Sequence, residues 1–250
     1  MTNNNMYFIA NWKMYGNKAD IDKSVSVIKL ANYKKYKKLK IIYCPPYTLL
    51  DAFCNKTKKS NVTIGAQNCH PNNDYGSFTG SINAKLIKST GAKYIIIGHS
   101  ENRDNGETDL IINKKILSAL RENLKIIFCF GETLSEKRKK NTYNVLKKQI
   151  TNGLRGIKNI NNIIFAYEPV WSIGTGIVPK NLELTRNISN VKRILRKLKK
   201  NDTAKILYGG SVNPKNAKEL AQIKEINGFL IGGASLSAKK FIDIIKKSTN

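Results

Sequence analysis

Histidine is almost missing from this sequence: His70 and His99 are the only two in 250 residues. So few imidazoles leave little scope for a metal site or a Ser-His-Asp triad. The four cysteines, Cys44, Cys54, Cys69 and Cys129, are widely spaced with no Cys-x-x-Cys pair, and they read as free thiols in a reducing compartment. No apolar run approaches membrane-spanning length, and the N-terminus lacks a basic patch followed by a signal-length apolar stretch. These absences predict a soluble, cytoplasmic protein with no membrane partner. A linker, a low-complexity tract and a composition shift are absent too. With 41% hydrophobic residues, the expectation is one domain over 1–250, residues 1–5 forming a short N-terminal extension.

Acidic residues are also scarce. Only 17 Asp and Glu stand against 44 Lys and Arg, for a net charge of +27. A nucleic-acid binder concentrates such charge on one face with aromatics between. Here Lys is spread over nearly every helical segment, as in 33–38, 136–140, 196–200 and 239–240, which suits solvated helix faces. A specific nucleic-acid partner is not expected; a small anionic substrate would still be drawn in by the field.

What the chain does have is alternation. Short apolar runs predict strands at 7–11, 40–43, 62–66, 94–97, 125–130, 163–167, 205–208 and 228–231. Amphipathic stretches predict helices at 20–35, 49–55, 82–89, 109–122, 139–152, 182–199, 216–221 and 241–247. Several strands are apolar throughout, as parallel strands covered on both faces must be. Eight strand-helix units in this length point to α/β architecture, a (β/α)₈ barrel first and a doubly wound open sheet second.

In a barrel, chemistry belongs at the C-terminal ends of the strands. Those ends carry Asn11 and Lys13, then His99 and Glu101, then Glu168, then Gly209-Gly210-Ser211, then Gly232-Gly233. The segment Ile164 to Gly176 is the most telling, because a strand ends at Glu168 and Pro169 keeps that carboxylate out of helical geometry. Trp171 can act as a lever, and Gly174 and Gly176 supply backbone freedom for a segment that opens and closes. Glycine loops leading into helices offer N–H groups to an anion, most simply a phosphate. A carboxylate base with an imidazole and an ammonium to polarise an oxygen suits proton abstraction beside a carbonyl; acyl transfer would need an activated nucleophile. Ser211 lacks a patterned base, so its N–H is the expected contributor. His70 carries no motif.

Nine motifs, from Asn11-Trp12-Lys13-Met14 through Gly98-His99-Ser100-Glu101, Cys129-Phe130-Gly131-Glu132-Thr133 and Tyr167-Glu168-Pro169-Val170-Trp171 to Gly232-Gly233-Ala234-Ser235-Leu236, stand in order at matching spacing. By these the chain resembles the triosephosphate isomerase family from about residue 6 to the last helix. The resemblance implies a single-domain TIM barrel that interconverts D-glyceraldehyde 3-phosphate and dihydroxyacetone phosphate through a cis-enediolate. It implies Glu168 as the proton shuttle, His99 acting neutral to polarise the carbonyl, Lys13 adding positive charge and Asn11 orienting the substrate; the neutral histidine is a family example in its own right. Glu101 and Cys129 would support them. Backbone N–H groups of Gly174, Ser211, Gly232 and Gly233 would hold the phosphate. Pro169, Val170, Trp171, Ser172, Ile173, Thr175 and Gly176 would belong to a lid reaching about Lys180. No metal or organic cofactor is implied. A homodimer is, with the Gln67 to Thr79 loop at the interface and Thr79 approaching Asn11 and Glu101 of the other copy.

Two departures stand out. Ser81 and Asn102 occupy positions where the family commonly has Glu and Arg, so a charge pair is lost without stranding either charge. The lid's far end, Ile177-Val178-Pro179-Lys180, replaces the common small-residue hinge and is stiffened by proline. Two other readings accompany the isomerase: a phosphate-binding barrel with diverted or lost activity, and a binder of nucleic acid through the basic surface.

Overall fold

The computed structural model describes residues 5–199, 201 and 203–249; residues 1–4 of the expected N-terminal extension lie outside these. Eight parallel strands close on themselves in sequence order. They are β1 (Tyr7–Asn11), β2 (Lys40–Cys44), β3 (Val62–Ala66), β4 (Tyr94–Ile97), β5 (Lys125–Phe130), β6 (Ile163–Tyr167), β7 (Lys205–Tyr208) and β8 (Gly228–Ile231). The ring shuts where Tyr7 of β1 pairs with Gly228 of β8. This is the (β/α)₈ barrel, and the open-sheet alternative is ruled out by that closure.

Around it lie α1 (Lys18–Lys23), α2 (Val25–Asn32), α3 (Leu50–Thr57), α4 (Ala84–Ser89), α5 (Ser100–Asp104), α6 (Asp109–Arg121), α7 (Leu134–Arg138), α8 (Thr142–Gly153), α9 (Asn181–Lys199), α10 (Ala217–Ala221) and α11 (Ala238–Thr249). The helix expected over 20–35 is broken at Ser24, whose hydroxyl donates to the Ile21 carbonyl and ends α1. The helix expected over 139–152 begins later, at Thr142, because Lys140 turns the chain through φ +55. Before it comes α7, which opens with a reciprocal cap between Thr133 and Glu136. The last helix starts earlier than expected and runs to Thr249.

The strand registers sort the lumen into layers drawn from alternate strands. Tyr7, Thr63, Lys125 and Lys205 share the lowest level, with Lys40 below them. Above come Ile42, Tyr94 and Ile164, then Ile9, Ile127 and Leu207, then Cys44, Ile96, Ala166 and Leu230, all buried against one another. A second, larger apolar cluster fills the space between barrel and helices. Asn11 and Cys129 stand at the top of the lumen, and Glu168 follows directly on β6.

Candidate active site

The upper mouth opens into a cavity of about 620 Å³, within the range of small-molecule sites. Asn11, Lys13, His99 and Glu168 line it together with the glycine loops after β7 and β8. Five strand ends far apart in sequence thus bring their expected residues to one place.

Glu168 is nearly inaccessible, at 1% exposure. Its backbone continues the sheet by donating to the Phe130 carbonyl at 2.8 Å. One carboxylate oxygen, Oε2, accepts the Ser100 N–H at 3.3 Å. The other, Oε1, is buried without a hydrogen-bond partner. A buried carboxylate oxygen left bare is costly, and such exceptions cluster where a ligand is to be met.

His99 follows Gly98, which adopts φ +79 and whose added Cβ would stand 2.9 Å from the Cys129 carbonyl. That left-handed step turns the strand end so that the imidazole caps α5. Nδ1 accepts the N–H of Glu101 at 3.3 Å. With Nδ1 engaged by that bond, Nε2 is the ring nitrogen left to face Glu168. Nε2 in turn lies 3.5 Å from Oε1 of Glu168.

Lys13 holds φ +53, a left-handed conformation uncommon outside glycine. Local bonds hold it there: its N–H donates to Asn11 Oδ1 at 3.0 Å, and its carbonyl accepts Gln67 Nε2 at 2.8 Å. Its ammonium reaches Glu101 Oε1 at 2.5 Å. Glu101 therefore touches two neighbours, its N–H donating to His99 Nδ1 and its carboxylate tethering Lys13. Cys129 is fully buried below Glu168, and burial together with that carboxylate pushes its thiol well above the usual range. It fills space and does not ionise.

The segment after Glu168, expected to be a lid, is tied down at both ends. A 3₁₀ turn covers Val170–Ser172. Ser172 is fully buried, and its hydroxyl donates to the Ile177 carbonyl at 2.6 Å while lying 2.9 Å from the Tyr208 hydroxyl. Ser211 Oγ donates to the Ser172 carbonyl at 2.6 Å and accepts the Gly176 N–H at 3.1 Å. The Ser211 N–H points at Ser172 Oγ, 3.4 Å away. Thr175 Oγ1 donates to the Trp171 carbonyl at 3.3 Å. Gly174, Gly232 and Gly233 remain on the cavity wall. Lys215 and Lys240, which sequence reasoning did not single out, line the same cavity.

Glu132 is a second residue whose role the sequence did not disclose, although its motif was legible. It is fully buried and accepts the Trp171 indole N–H at 3.0 Å and the Tyr167 hydroxyl at 3.0 Å. Burial raises its carboxyl above the ordinary range, partly offset by these donors. Lys137 lies 3.4 Å over the Trp171 ring and 2.8 Å from Glu183. Among the described residues no group of three or more His, Cys, Asp and Glu side chains could hold a metal.

Fold and site together define a (β/α)₈ barrel with a carboxylate, an imidazole and an ammonium beside glycine-rich loops at its upper mouth. The sequence profile described as Triosephosphate isomerase matches residues 6–248. The chain is 40% identical to a triosephosphate isomerase of Bradyrhizobium diazoefficiens over 239 residues, covering 94% of each. It is 38% identical to one from Geotalea uraniireducens over 244 residues, 95% of this chain and 96% of the other. The crystal structure of triosephosphate isomerase from Bartonella henselae superposes with a TM-score of 0.90 at 32% identity, covering 98% of this chain and all of that one. The chain belongs to the triosephosphate isomerase family.

Proposed function

We propose that this chain interconverts D-glyceraldehyde 3-phosphate and dihydroxyacetone phosphate, with Glu168 as the proton shuttle. The observation that carries the assignment is a buried Glu168 Oε1 without a hydrogen-bond partner, 3.5 Å from His99 Nε2. Glu168 takes a proton from the carbon beside the carbonyl, and the electron pair left behind shifts onto the carbonyl oxygen. The Nε2–H of His99 stabilises that oxyanion, which an imidazole, close in acidity to an enediol, does without a large change of proton affinity. The hydroxyl proton passes to the former carbonyl oxygen, and Glu168 returns its own proton to the neighbouring carbon. The Lys13 ammonium adds positive charge, Asn11 orients the substrate, and N–H groups of Gly174, Ser211, Gly232 and Gly233 receive the phosphate. A lid from Pro169 to about Lys180 closes over the enediolate, excluding water and hindering loss of phosphate.

The whole chain serves as one catalytic domain in this reading, placed in the cytoplasm; its four unpaired thiols fit a reducing compartment, and no described helix is long and apolar enough to cross a membrane. A homodimer through the Gln67 to Thr79 loop is supported by the large apolar side chains left exposed near it, Met14, Tyr75 and Phe78. The test is isomerisation by the purified protein beside Glu168→Asp. Shortening the base by one methylene should lower kcat by roughly 10²-fold or more with the fold intact. A folded wild type without activity would overturn the reading.

A further inference from the structure

The lower mouth of the barrel holds an unusual set of side chains. Alternation along each strand settles which way they face. Ile42 and Cys44 of β2, Ile127 and Cys129 of β5, and Leu207 of β7 all belong to the lumen cluster. Residues two apart on a strand share a face, so Lys40, Lys125 and Lys205, the first residues of these strands, also point to the lumen side. Tyr7 belongs to the same cluster, and Thr63 shares parity with Gly65, whose added Cβ would meet Cys44 and Tyr94.

Three lysines and two hydroxyl side chains therefore leave from the lumen face at this end of the barrel. All three lysines are exposed, while Tyr7 and Thr63 are half-buried. None of the three lysines is ion-paired among the described residues. Lys125 instead lies 5.6 Å over the Tyr94 ring. Elsewhere the lysines are scattered on helix faces, but here closure of the sheet brings them together. Like charges gathered in this way repel, and an anion bound between them relieves the repulsion.

We propose that this mouth is a second anion site, built for a phosphate or pyrophosphate group, whether free or at the end of a nucleotide. Its ligands are the ammoniums of Lys40, Lys125 and Lys205, with the hydroxyls of Tyr7 and Thr63 as further donors. An eight-stranded barrel is narrow enough at its mouth for lysines on different strands to reach one ligand. The site is at the opposite end from the catalytic rim, roughly 15 Å along the axis at about 3.3 Å per residue on tilted strands.

The test is a titration of the ¹⁵N-labelled full chain with pyrophosphate, and separately with a nucleoside triphosphate, at fixed ionic strength. Amide signals of Tyr7, Thr63, Lys125, Lys205 and Gly228 report on the lower mouth; those of Gly232 and Gly233 report on the catalytic rim. Saturable shifts at the lower mouth are expected from both probes if the phosphates alone are recognised. Lys125→Gln with Lys205→Gln should weaken them at least tenfold and leave the rim titration and the isomerase KM unchanged. Lys40→Gln, in which the residue altered lies below the packed layers, gives an independent reading should the double variant be unstable. The charge-matched control is Lys147→Gln with Lys148→Gln. The proposal falls if the wild type shows no saturable shift at the lower mouth. It falls equally if the mouth variants titrate like wild type, or if the control loses as much affinity as they do.

Discussion

A Cβ on Gly209 would stand 2.7 Å from Cγ of Glu168. Glu168 is therefore seated against bare backbone of the neighbouring strand end, and the absence of a side chain there is part of how the carboxylate is aimed. Gly209→Ala should push the carboxylate aside without breaking the barrel. We expect kcat to fall roughly 10²-fold, as for a displacement of about 1 Å, with KM changed only a few-fold. Steady-state kinetics beside circular dichroism checks this; unaltered kcat would show that Glu168 has room to spare.

His99 combines two tasks that one substitution can separate. Asparagine is a strong N-cap and can accept the Glu101 N–H that Nδ1 now accepts. It has nothing that reaches as far as Nε2. His99→Asn should therefore keep stability within about 1 kcal/mol of wild type while kcat drops roughly 10²- to 10⁴-fold. Urea unfolding and kinetics on the same preparation give both numbers.

Ser172 links the two ends of the lid through one buried hydroxyl, which contacts the Ile177 carbonyl and the Tyr208 hydroxyl. Burial pushes the Tyr208 phenol up to about 12, so it remains a neutral hydrogen-bonding partner throughout the working range. Ser172→Ala removes both contacts. At about 1 kcal/mol for each net bond, the tied-down lid should become roughly tenfold less populated or more. Inorganic phosphate released per isomerisation should rise accordingly, because an enediolate left uncovered eliminates its phosphate. An unchanged ratio would remove the hydroxyl from any role in retention.

Glu132 yields a pH prediction. Burial raises its carboxyl in the folded state, so folding favours the protonated form. Its contribution is fully present below the ordinary carboxylate value and is lost as pH climbs through the raised one. Glutamine keeps an acceptor for Trp171 and Tyr167 without the charge. The stability difference, wild type minus Glu132→Gln, should therefore fall as pH rises from about 4 towards neutrality, measured by urea midpoints at a series of pH values. A flat difference would mean that the donors fully offset burial.

All eight strands were legible within a residue at either end, because strands buried on both faces must be apolar throughout and their limits are marked by turn residues. The side chains that line the upper cavity were legible by position, since a barrel leaves only its strand ends free for chemistry. Helix limits were less so. Nothing in 20–35 announces that Ser24 will turn its hydroxyl onto Ile21, and nothing near Lys140 announces a left-handed backbone. Glu132 was missed as a working residue, and Ser172 was placed in the lid without the bonds of its hydroxyl, for a related reason. Each gains its role from partners distant in sequence, Tyr167 and Trp171 for one and Tyr208 for the other, and such partnerships exist only once the ring has closed.

Between the polar lower mouth and the catalytic rim stand three tiers of interlocked apolar side chains. Close-packed tiers of this kind leave few voids as large as a water molecule, so they act as a stopper between the two ends of the lumen. A substitution at one opening is invisible to the other unless it loosens the stopper itself. The chain can therefore revise its lower end at little risk to its upper one, and a lineage under pressure to change partners or compartments has a whole face on which to do so without relearning its chemistry.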